Sequence, residues 1–160
     1  MKSFAIALFL VLSAMAFGAK RLTTKDLYEA LDTEERIWIT LRSYTRTTEG
    51  KNNTCIYAWK FFLKGTRYQF GQYYKAGNKS YKGTFYANIT EGPRPALQPV
   101  LMVSKMRTGH AGIPYTLQYW DRVHHCGILT FMERGRKQCE MHVWEKDNDI
   151  TWPKYLRDEI

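Results

Sequence analysis

The chain has 160 residues, a size that suits one domain and excludes an assembly of several catalytic domains. Hydrophobic residues make up 44% and charged residues 24%, so the chain is too apolar for a disordered protein. The formal net charge of +9 does not indicate a nucleic-acid site, because the Lys and Arg residues are scattered along the chain. Aromatic residues reach 15%, and such side chains favour strands and line ligand pockets.

The first residues have the order of a secretory signal peptide. Lys2 precedes an apolar run from Phe4 to Phe17, and small residues continue to Gly18. The run is about 14 residues long, shorter than the ~20 residues that a membrane-spanning helix needs. We therefore predict a signal peptide at residues 1–18, a single domain at residues 19–160, and a secreted, extracellular protein in a compartment that permits disulfides.

Three sequons fit that compartment. They begin at Asn52, Asn78 and Asn88, and each has the Asn-x-Ser/Thr pattern that accepts an N-linked glycan. Three such motifs within a short stretch favour a glycosylated surface. Unmodified polar turns are the alternative for each of them.

The chain has three cysteines, and an odd number in a secreted protein leaves one without an intramolecular partner. Cys126 and Cys139 flank a turn signal at residues 133–136, so we predict that they lie on neighbouring strands and form a disulfide. Their midpoint falls slightly before the turn, and direct opposition therefore needs a bulge or a longer loop. Cys55 is then the free thiol.

Taken in chain order, the pattern begins with a helix and continues with strands. A capped, apolar-spaced segment from Thr24 to Leu31 predicts one short helix. Aromatic and β-branched residues then predict eight strands, at 36–47, 54–64, 67–74, 79–90, 97–106, 113–121, 124–132 and 137–145. Short breaks between them favour antiparallel pairing, and eight strands can close into a barrel, with a two-sheet sandwich as the alternative. The segment 147–160 predicts a short helical tail.

Several of these segments together resemble one family. The capped helix is followed by Glu35–Trp38, Tyr119–Asp121, Cys126–Leu129 and Cys139–Trp144 in that order. This arrangement resembles the tick salivary lipocalins, the family that includes the histamine-binding proteins. The resemblance implies an all-β, eight-stranded antiparallel lipocalin-like barrel. It also implies secretion in saliva and capture of host mediators such as histamine, serotonin or lipid messengers.

The chain departs from the pattern of the amine-binding members. Gly127 stands where they have aspartate, and Met141 and His142 stand where they have leucine and an aromatic residue, whereas Glu140 is retained. In the family the cysteine matched by Cys55 pairs with one near the C-terminus, and the printed sequence has no such cysteine. We expect a truncated product or a natural variant with that thiol free.

The chemistry of amine binding selects a few residues. A protonated amine in a dry barrel needs a carboxylate and aromatic faces. Glu140 is the predicted carboxylate, with a solvated strand residue as the alternative. Trp38, Trp59 and Trp120 are predicted cavity walls, with core packing as the alternative and the barrel base favoured for Trp38. Asp121 is a second candidate anion, with surface placement as the alternative.

Two other functions stay open. The missing aspartate removes one charge-assisted hydrogen bond, worth about 1.5–3 kcal/mol, and this favours a lipid mediator held by residues such as Arg42, Arg67 and Tyr73. The other alternative is binding of a host immune protein through the outer loops. Our primary hypothesis is a secreted, monomeric scavenger of a small host amine that suppresses host defence and binds neither nucleic acid nor membrane.

The sequence does not predict an enzyme. His124 and His125 are adjacent on a predicted strand, so their side chains point to opposite faces and do not chelate one metal ion readily. The chain has no nucleophile elbow, phosphate loop or HExxH motif. We expect no catalysis, no metal and no cofactor.

Overall fold

The computed structural model describes residues 21–107 and 112–148 of the chain. The first element, α1, spans Thr24–Leu31, which confirms the predicted helix. The Thr23 hydroxyl accepts a hydrogen bond from the Asp26 backbone N–H at 3.4 Å, and the Asp26 carboxylate accepts one from the Thr23 N–H at 2.7 Å. This reciprocal cap gives partners to two N–H groups at the start of the helix. α1 buries Leu27 and Leu31.

The strands that follow form one antiparallel barrel. β1 pairs with both β9 and β3, which closes the sheet, and the remaining neighbours follow in chain order. Closure confirms the predicted eight-stranded barrel and leaves no long unpaired edge among the described strands. In the described residues the strands are β1 (Ile37–Arg42), β2 (Thr47–Thr48), β3 (Lys51–Lys64), β4 (Arg67–Ala76), β5 (Lys79–Glu91), β6 (Pro99–Ser104), β7 (Ile113–Asp121), β8 (Cys126–Glu133) and β9 (Arg136–Trp144).

One boundary differs from the sequence prediction. The strand expected over 36–47 ends at Arg42, and the chain then turns before β2 pairs with the start of β3. The backbone carbonyl of Arg46 accepts a hydrogen bond from the Asn53 N–H at 2.8 Å. This bond folds the β1–β2 connection back against β3, so the extra two-residue strand is an addition to the eight barrel strands.

The barrel interior is packed with apolar side chains at the end where α1 lies, which we call the closed end. The Trp144 indole N–H donates to the Ala30 carbonyl at 3.0 Å, and this bond fixes α1 to β9. Arg122 pairs with the Asp26 and Glu29 carboxylates of the helix. The main core cluster contains Leu27, Leu31, Ile37, Ala58, Tyr68, Phe70, Ala87, Ile89, Leu101, Leu117 and Leu129.

Bulges in two adjacent strands decide which side chains face inward. The register of β1 against β9 shifts between Ile39 and Leu41. The register of β3 against β4 shifts between Thr54 and Tyr57. A bulge adds one residue to a strand and so reverses the alternation beyond it. As a result, Arg42 lies on the cavity side although it is an odd number of residues from Ile39.

A second buried cluster contains Cys126, Ile128, Met141 and Val143 on the outer face of β8 and β9. No helix in the described residues is long and apolar enough to cross a membrane. The predicted signal peptide at 1–18 lies outside the described residues. So does the predicted helical tail from residue 149 onward, and a 3-10 turn at Glu145–Asp147 ends at the first residue of that predicted tail.

Candidate functional site

The half of the barrel opposite α1 encloses a cavity of about 950 Å³. Its opening is bordered by described residues of the β1–β2 connection, the stretch just after β6 and the β8–β9 turn, among them Thr45, Lys105 and Arg134, and we call this the open end. The floor is apolar and formed by core residues, among them Ile56, Ala58, Phe70, Leu101 and Leu129. The upper wall is polar and includes Arg42, Tyr44, Arg46, Asn53, Glu140 and His142. The arrangement suits an apolar molecule with one polar end.

Glu140 is the most deeply buried charged group of the cavity wall, with only 3% of the residue exposed. One of its carboxylate oxygens accepts a hydrogen bond from the Tyr44 hydroxyl, and the other lies 2.8 Å from His142 Nε2. Burial raises the pKa of this carboxyl, but the His142 ring, the Tyr44 hydroxyl and the charge of Arg46 together lower it below its ordinary value. Glu140 is therefore an anion with a polar partner at each of its two oxygens.

Arg46 and Tyr44 form the other side of this network. The Arg46 guanidinium lies 5.0 Å from the centre of the Tyr44 ring, and its Nη2 is 3.2 Å from a Glu133 oxygen. Burial and the charge of Glu140 raise the pKa of the Tyr44 hydroxyl. The same two causes raise the pKa of Tyr115 to about 12. Both phenols therefore stay neutral hydrogen-bond donors at physiological pH.

Arg42 and Asn53 form a separate polar pair on the cavity wall. Arg42 Nη2 donates to the Asn53 backbone carbonyl at 2.8 Å, and the guanidinium lies 5.4 Å from the Tyr44 ring centre. The other guanidinium nitrogen, Nη1, is buried and has no hydrogen-bond partner among the described residues. The same holds for the side-chain oxygen of Asn53. The pair therefore contains one buried donor and one buried acceptor without a partner in the described part of the chain.

Comparison with known proteins bears on this fold. The structure of Japanin from Rhipicephalus appendiculatus, bound to cholesterol in an orthorhombic crystal form, matches with a TM-score of 0.53. The fold is lipocalin-like. The two chains are 15% identical, and the match covers 82% of this chain and 87% of that chain. At this identity the likeness establishes the fold alone. No family model and no curated protein matches the chain.

Within the lipocalin-like barrel, the predicted site residues separate. Glu140 lies in the cavity wall. Trp38 and Trp59 do not line the cavity, so the prediction that they are cavity walls is wrong. Both lie on the outer face of the barrel, where the Arg36 guanidinium is 5.9 Å and 5.8 Å from their ring centres. Trp38 follows the inward-facing Ile37 in the strand, so alternation turns it outward and away from the barrel base.

Trp120 and Asp121 lie at the closed end, away from the cavity. Trp120 packs against the core cluster and Trp144, with ring centres 6.1 Å apart. An oxygen of Asp121 accepts hydrogen bonds from the Val123 and His124 backbone N–H groups at 2.8 and 3.1 Å, which organise the β7–β8 turn. Neither residue lines the cavity, so the predictions of Trp120 as a cavity wall and of Asp121 as a ligand anion are wrong.

The structure contradicts the predicted Cys126–Cys139 disulfide. In the β8–β9 register Cys126 lies opposite Val143, and Cys139 lies opposite Thr130. The two cysteines are thus separated along the ladder by roughly 13 Å, at ~3.3 Å per residue, whereas the Cα atoms of a disulfide lie within ~7 Å of each other. Cys55 is an exposed free thiol of β3.

Of the three residues considered for a lipid ligand, one lines the cavity and two lie on the outer face. Arg42 lines the cavity, whereas Arg67 lies 5.8 Å from the outward-facing Phe62 ring and Tyr73 stacks at 4.9 Å on the outer-face Tyr57. Sequence reasoning missed Tyr44, Arg46 and Asn53. Their positions depend on the β1–β2 connection and on the two bulges, and alternation alone indicates neither.

The three sequon asparagines, Asn52, Asn78 and Asn88, all lie in the described residues, the first two exposed and the third half-buried.

Proposed function

We propose that this protein binds a small, largely apolar ligand in the barrel cavity and holds it without chemical change. The observation that carries the proposal is the cavity of about 950 Å³ inside the closed barrel. This volume lies within the range of about 300–1,000 Å³ that small-molecule sites occupy. The apolar floor removes hydrocarbon from water, and the polar wall near the open end orients the ligand.

The charges of the wall favour an amphipathic lipid as the ligand. Arg42, Arg46, Lys82 and Lys105 all border the cavity, so its upper part is rich in cationic donors. A lipid would place its hydrocarbon on the floor and an oxygen-bearing head beside these donors. Japanin, whose fold is similar, is bound to cholesterol in its crystal structure, and this supports an apolar ligand of that general class.

A biogenic amine such as histamine or serotonin is the second candidate, and one observation favours it. Glu140 is a buried anion in the cavity wall, and the Tyr44 and Tyr115 rings border the same space. A carboxylate with aromatic faces is the chemistry that binds an ammonium group. An amine would, however, have to share Glu140 with His142 and Tyr44 and would lie close to the charge of Arg46, so it ranks behind the lipid.

The resemblance to tick salivary lipocalins suggests the biological setting. We propose a secreted, monomeric, N-glycosylated protein that captures a host mediator stoichiometrically and so suppresses host defence. Binding of a host immune protein is a third candidate, favoured by the aromatic side chains on the outer wall of β3, where Trp59 is 40% exposed and Phe61 51% exposed. Proteins use exposed apolar patches of this kind as interaction sites.

Calorimetric titration of the mature secreted protein tests these candidates. The ligands are a leukotriene, histamine, serotonin, and cholesterol delivered from cyclodextrin. We expect saturable heat with a lipid ligand at a ratio of one ligand per chain. The Glu140→Gln variant should keep lipid binding and lose any amine binding. Absence of heat with all four ligands at roughly micromolar protein would reject small-molecule capture and favour the protein-binding candidate.

A further inference from the structure

The three sequon asparagines lie on different kinds of surface. Asn52 is exposed near the start of β3, and Asn78 is exposed in the turn between β4 and β5. Asn88 is half-buried within β5, where it lies opposite Arg67 of β4 and Met102 of β6. Asn88 also borders a groove of about 400 Å³ that shares no lining residue with the barrel cavity. A group attached to this asparagine would therefore have room against the wall of the barrel.

The groove lies on the outer face of the barrel. Ala87 is buried in the core cluster, so alternation turns Tyr86 and Asn88 outward on either side of it. Phe62 of β3 is opposite Gln69 of β4, and Gln69 is opposite Tyr86 of β5. These three side chains form a row across three strands, and all three border the groove. Two aromatic rings thus share one groove with the Asn88 side chain.

The walls of the groove combine apolar rings with polar donors. Phe62 is 41% exposed although it is a large apolar side chain. The Arg67 guanidinium lies 5.8 Å from the centre of the Phe62 ring and also borders the groove, as does the Gln69 amide. Such walls suit a group with an apolar face for the rings and oxygen atoms for the N–H donors. A sugar ring has both, because one face carries C–H groups and its rim carries hydroxyls.

We propose that the groove holds the first sugar of an N-linked glycan on Asn88. Residues 88–90 form a sequon. The new bond joins Asn88 Nδ2 to the anomeric carbon of N-acetylglucosamine; the amide gives up one proton, and the lipid diphosphate of the sugar donor is the leaving group. The strand period places Tyr86 on the same face as Asn88, two residues before it, so its ring lies beside the attached sugar.

The covalent bond strengthens this docking. A sugar attached to Asn88 is already confined to the groove, so it loses less freedom on packing than a separate ligand does. The inference rests on the proposed N-glycosylation and goes beyond it. The sugar at Asn88 packs against Phe62 and Tyr86 as part of the fold, whereas glycans at the exposed Asn52 and Asn78 extend into solvent.

Enzymatic release of glycans from the folded protein tests the proposal site by site. The full mature chain, secreted from mammalian cells, is treated under native conditions with peptide-N-glycosidase F in heavy-oxygen water, which converts each released asparagine to a labelled aspartate. Mass spectrometry of the peptides then gives a release rate for each site. We expect the Asn88 glycan to be released about tenfold more slowly than those at Asn52 and Asn78. After unfolding, the three rates should be similar.

Two neighbouring phenylalanines give a matched pair of variants. Phe62 borders the groove, whereas Phe61, 51% exposed, lies over Gly71. Phe62→Ala should speed release at Asn88 by about fivefold, the equivalent of one aromatic contact, and leave the rates at the other two sites unchanged. Phe61→Ala should leave all three rates unchanged. The comparison of the three sites in the unchanged protein needs no variant.

The outcomes separate this inference from the glycosylation on which it rests. Protein with a glycan at Asn52 or Asn78 but none at Asn88 would overturn the inference and leave N-glycosylation standing. Equal release rates at the three sites of the folded protein would also overturn it. So would a Phe62→Ala protein in which release at Asn88 stays as slow as before, because burial of the asparagine alone would then explain the slow rate. Absence of glycans at all three sites would reject N-glycosylation itself.

Discussion

Replacement of Glu140 by glutamine removes the buried charge and keeps the shape of the side chain. The wild-type carboxylate accepts a hydrogen bond from the Tyr44 hydroxyl and lies 2.8 Å from His142 Nε2. Glutamine resembles the protonated form of the acid, so the variant reports how much the ionised form stabilises the fold. The pKa of Glu140 is lowered in the folded protein, which means that the fold favours the charged form.

The magnitude follows from the two hydrogen bonds. A charge-assisted bond contributes about 1 kcal/mol more than a neutral one, so Glu140→Gln should lower the free energy of unfolding by about 2 kcal/mol at pH 7. For a domain of this size the melting temperature should fall by about 6 °C. A carboxyl whose pKa is lowered by folding stabilises the protein above its unfolded-state pKa of 4.5 and loses that contribution as the pH falls through the folded-state value.

Urea unfolding of both proteins at pH 7 and at several pH values below 4.5 tests the prediction. The difference in unfolding free energy should be full at neutral pH and should shrink as the pH falls. Glu133→Gln is the matched control, because that side chain is 37% exposed and pairs with the same Arg46 at 3.2 Å. It should change stability by at most about 1 kcal/mol. A Glu140→Gln protein as stable as the wild type at pH 7, or a difference that does not vary with pH, would refute the reasoning.

Three further predictions concern the core, the helix and the thiols. Leu129 is 4% exposed on the cavity floor, and Leu129→Ala should lower the free energy of unfolding, measured in urea, by about 2–5 kcal/mol. Met132 lies on the same strand and is 58% exposed, so Met132→Ala should lower it by under about 0.5 kcal/mol. Similar losses in the two variants would contradict the burial of Leu129. Thr23→Ala should cost about 1 kcal/mol through loss of the helix cap, and an unchanged midpoint would argue against that cap. Iodoacetamide should modify Cys55 in the folded protein and Cys126 only after unfolding. The reason is that burial and two nearby carboxylates raise the pKa of the Cys126 thiol to about 12. Equal labelling rates of the two thiols in the folded protein would disprove this.

The element pattern was predictable because it is local. The Thr23–Asp26 cap and the spacing of Leu27 and Leu31 indicate α1 from neighbouring residues alone. In β4, Tyr68 and Phe70 alternate with outward-facing residues and both are buried in the barrel. Eight such segments separated by short breaks indicate antiparallel strands. The elements thus followed from period and turn signals, whereas the choice of a barrel over a two-sheet sandwich came from the family resemblance.

The cavity wall depended on register and bulges, which are not local. Strict alternation places Phe61 and Phe62 on opposite faces, yet the register shift between Lys60 and Phe62 leaves both exposed. Cys126 and Cys139 flank the right turn, but the ladder separates them by four positions. Register is set by pairing across strands that are far apart in the chain. Which face of β1 turns inward is also not visible in the local sequence, and for that reason the assignment of Trp38 as a cavity wall was wrong.

The position of α1 has a consequence for the kinetics of ligand exchange. Because the helix and the Trp144 indole cover the closed end, a bound molecule enters and leaves through the opening at the other end of the described barrel. A substitution at an exposed rim residue outside the proposed head-group donors, such as Met106, that leaves bound-state contacts unchanged would alter association and dissociation rates by the same factor. Residence time and equilibrium affinity can then change independently, so a slow-releasing variant need not be a tighter binder.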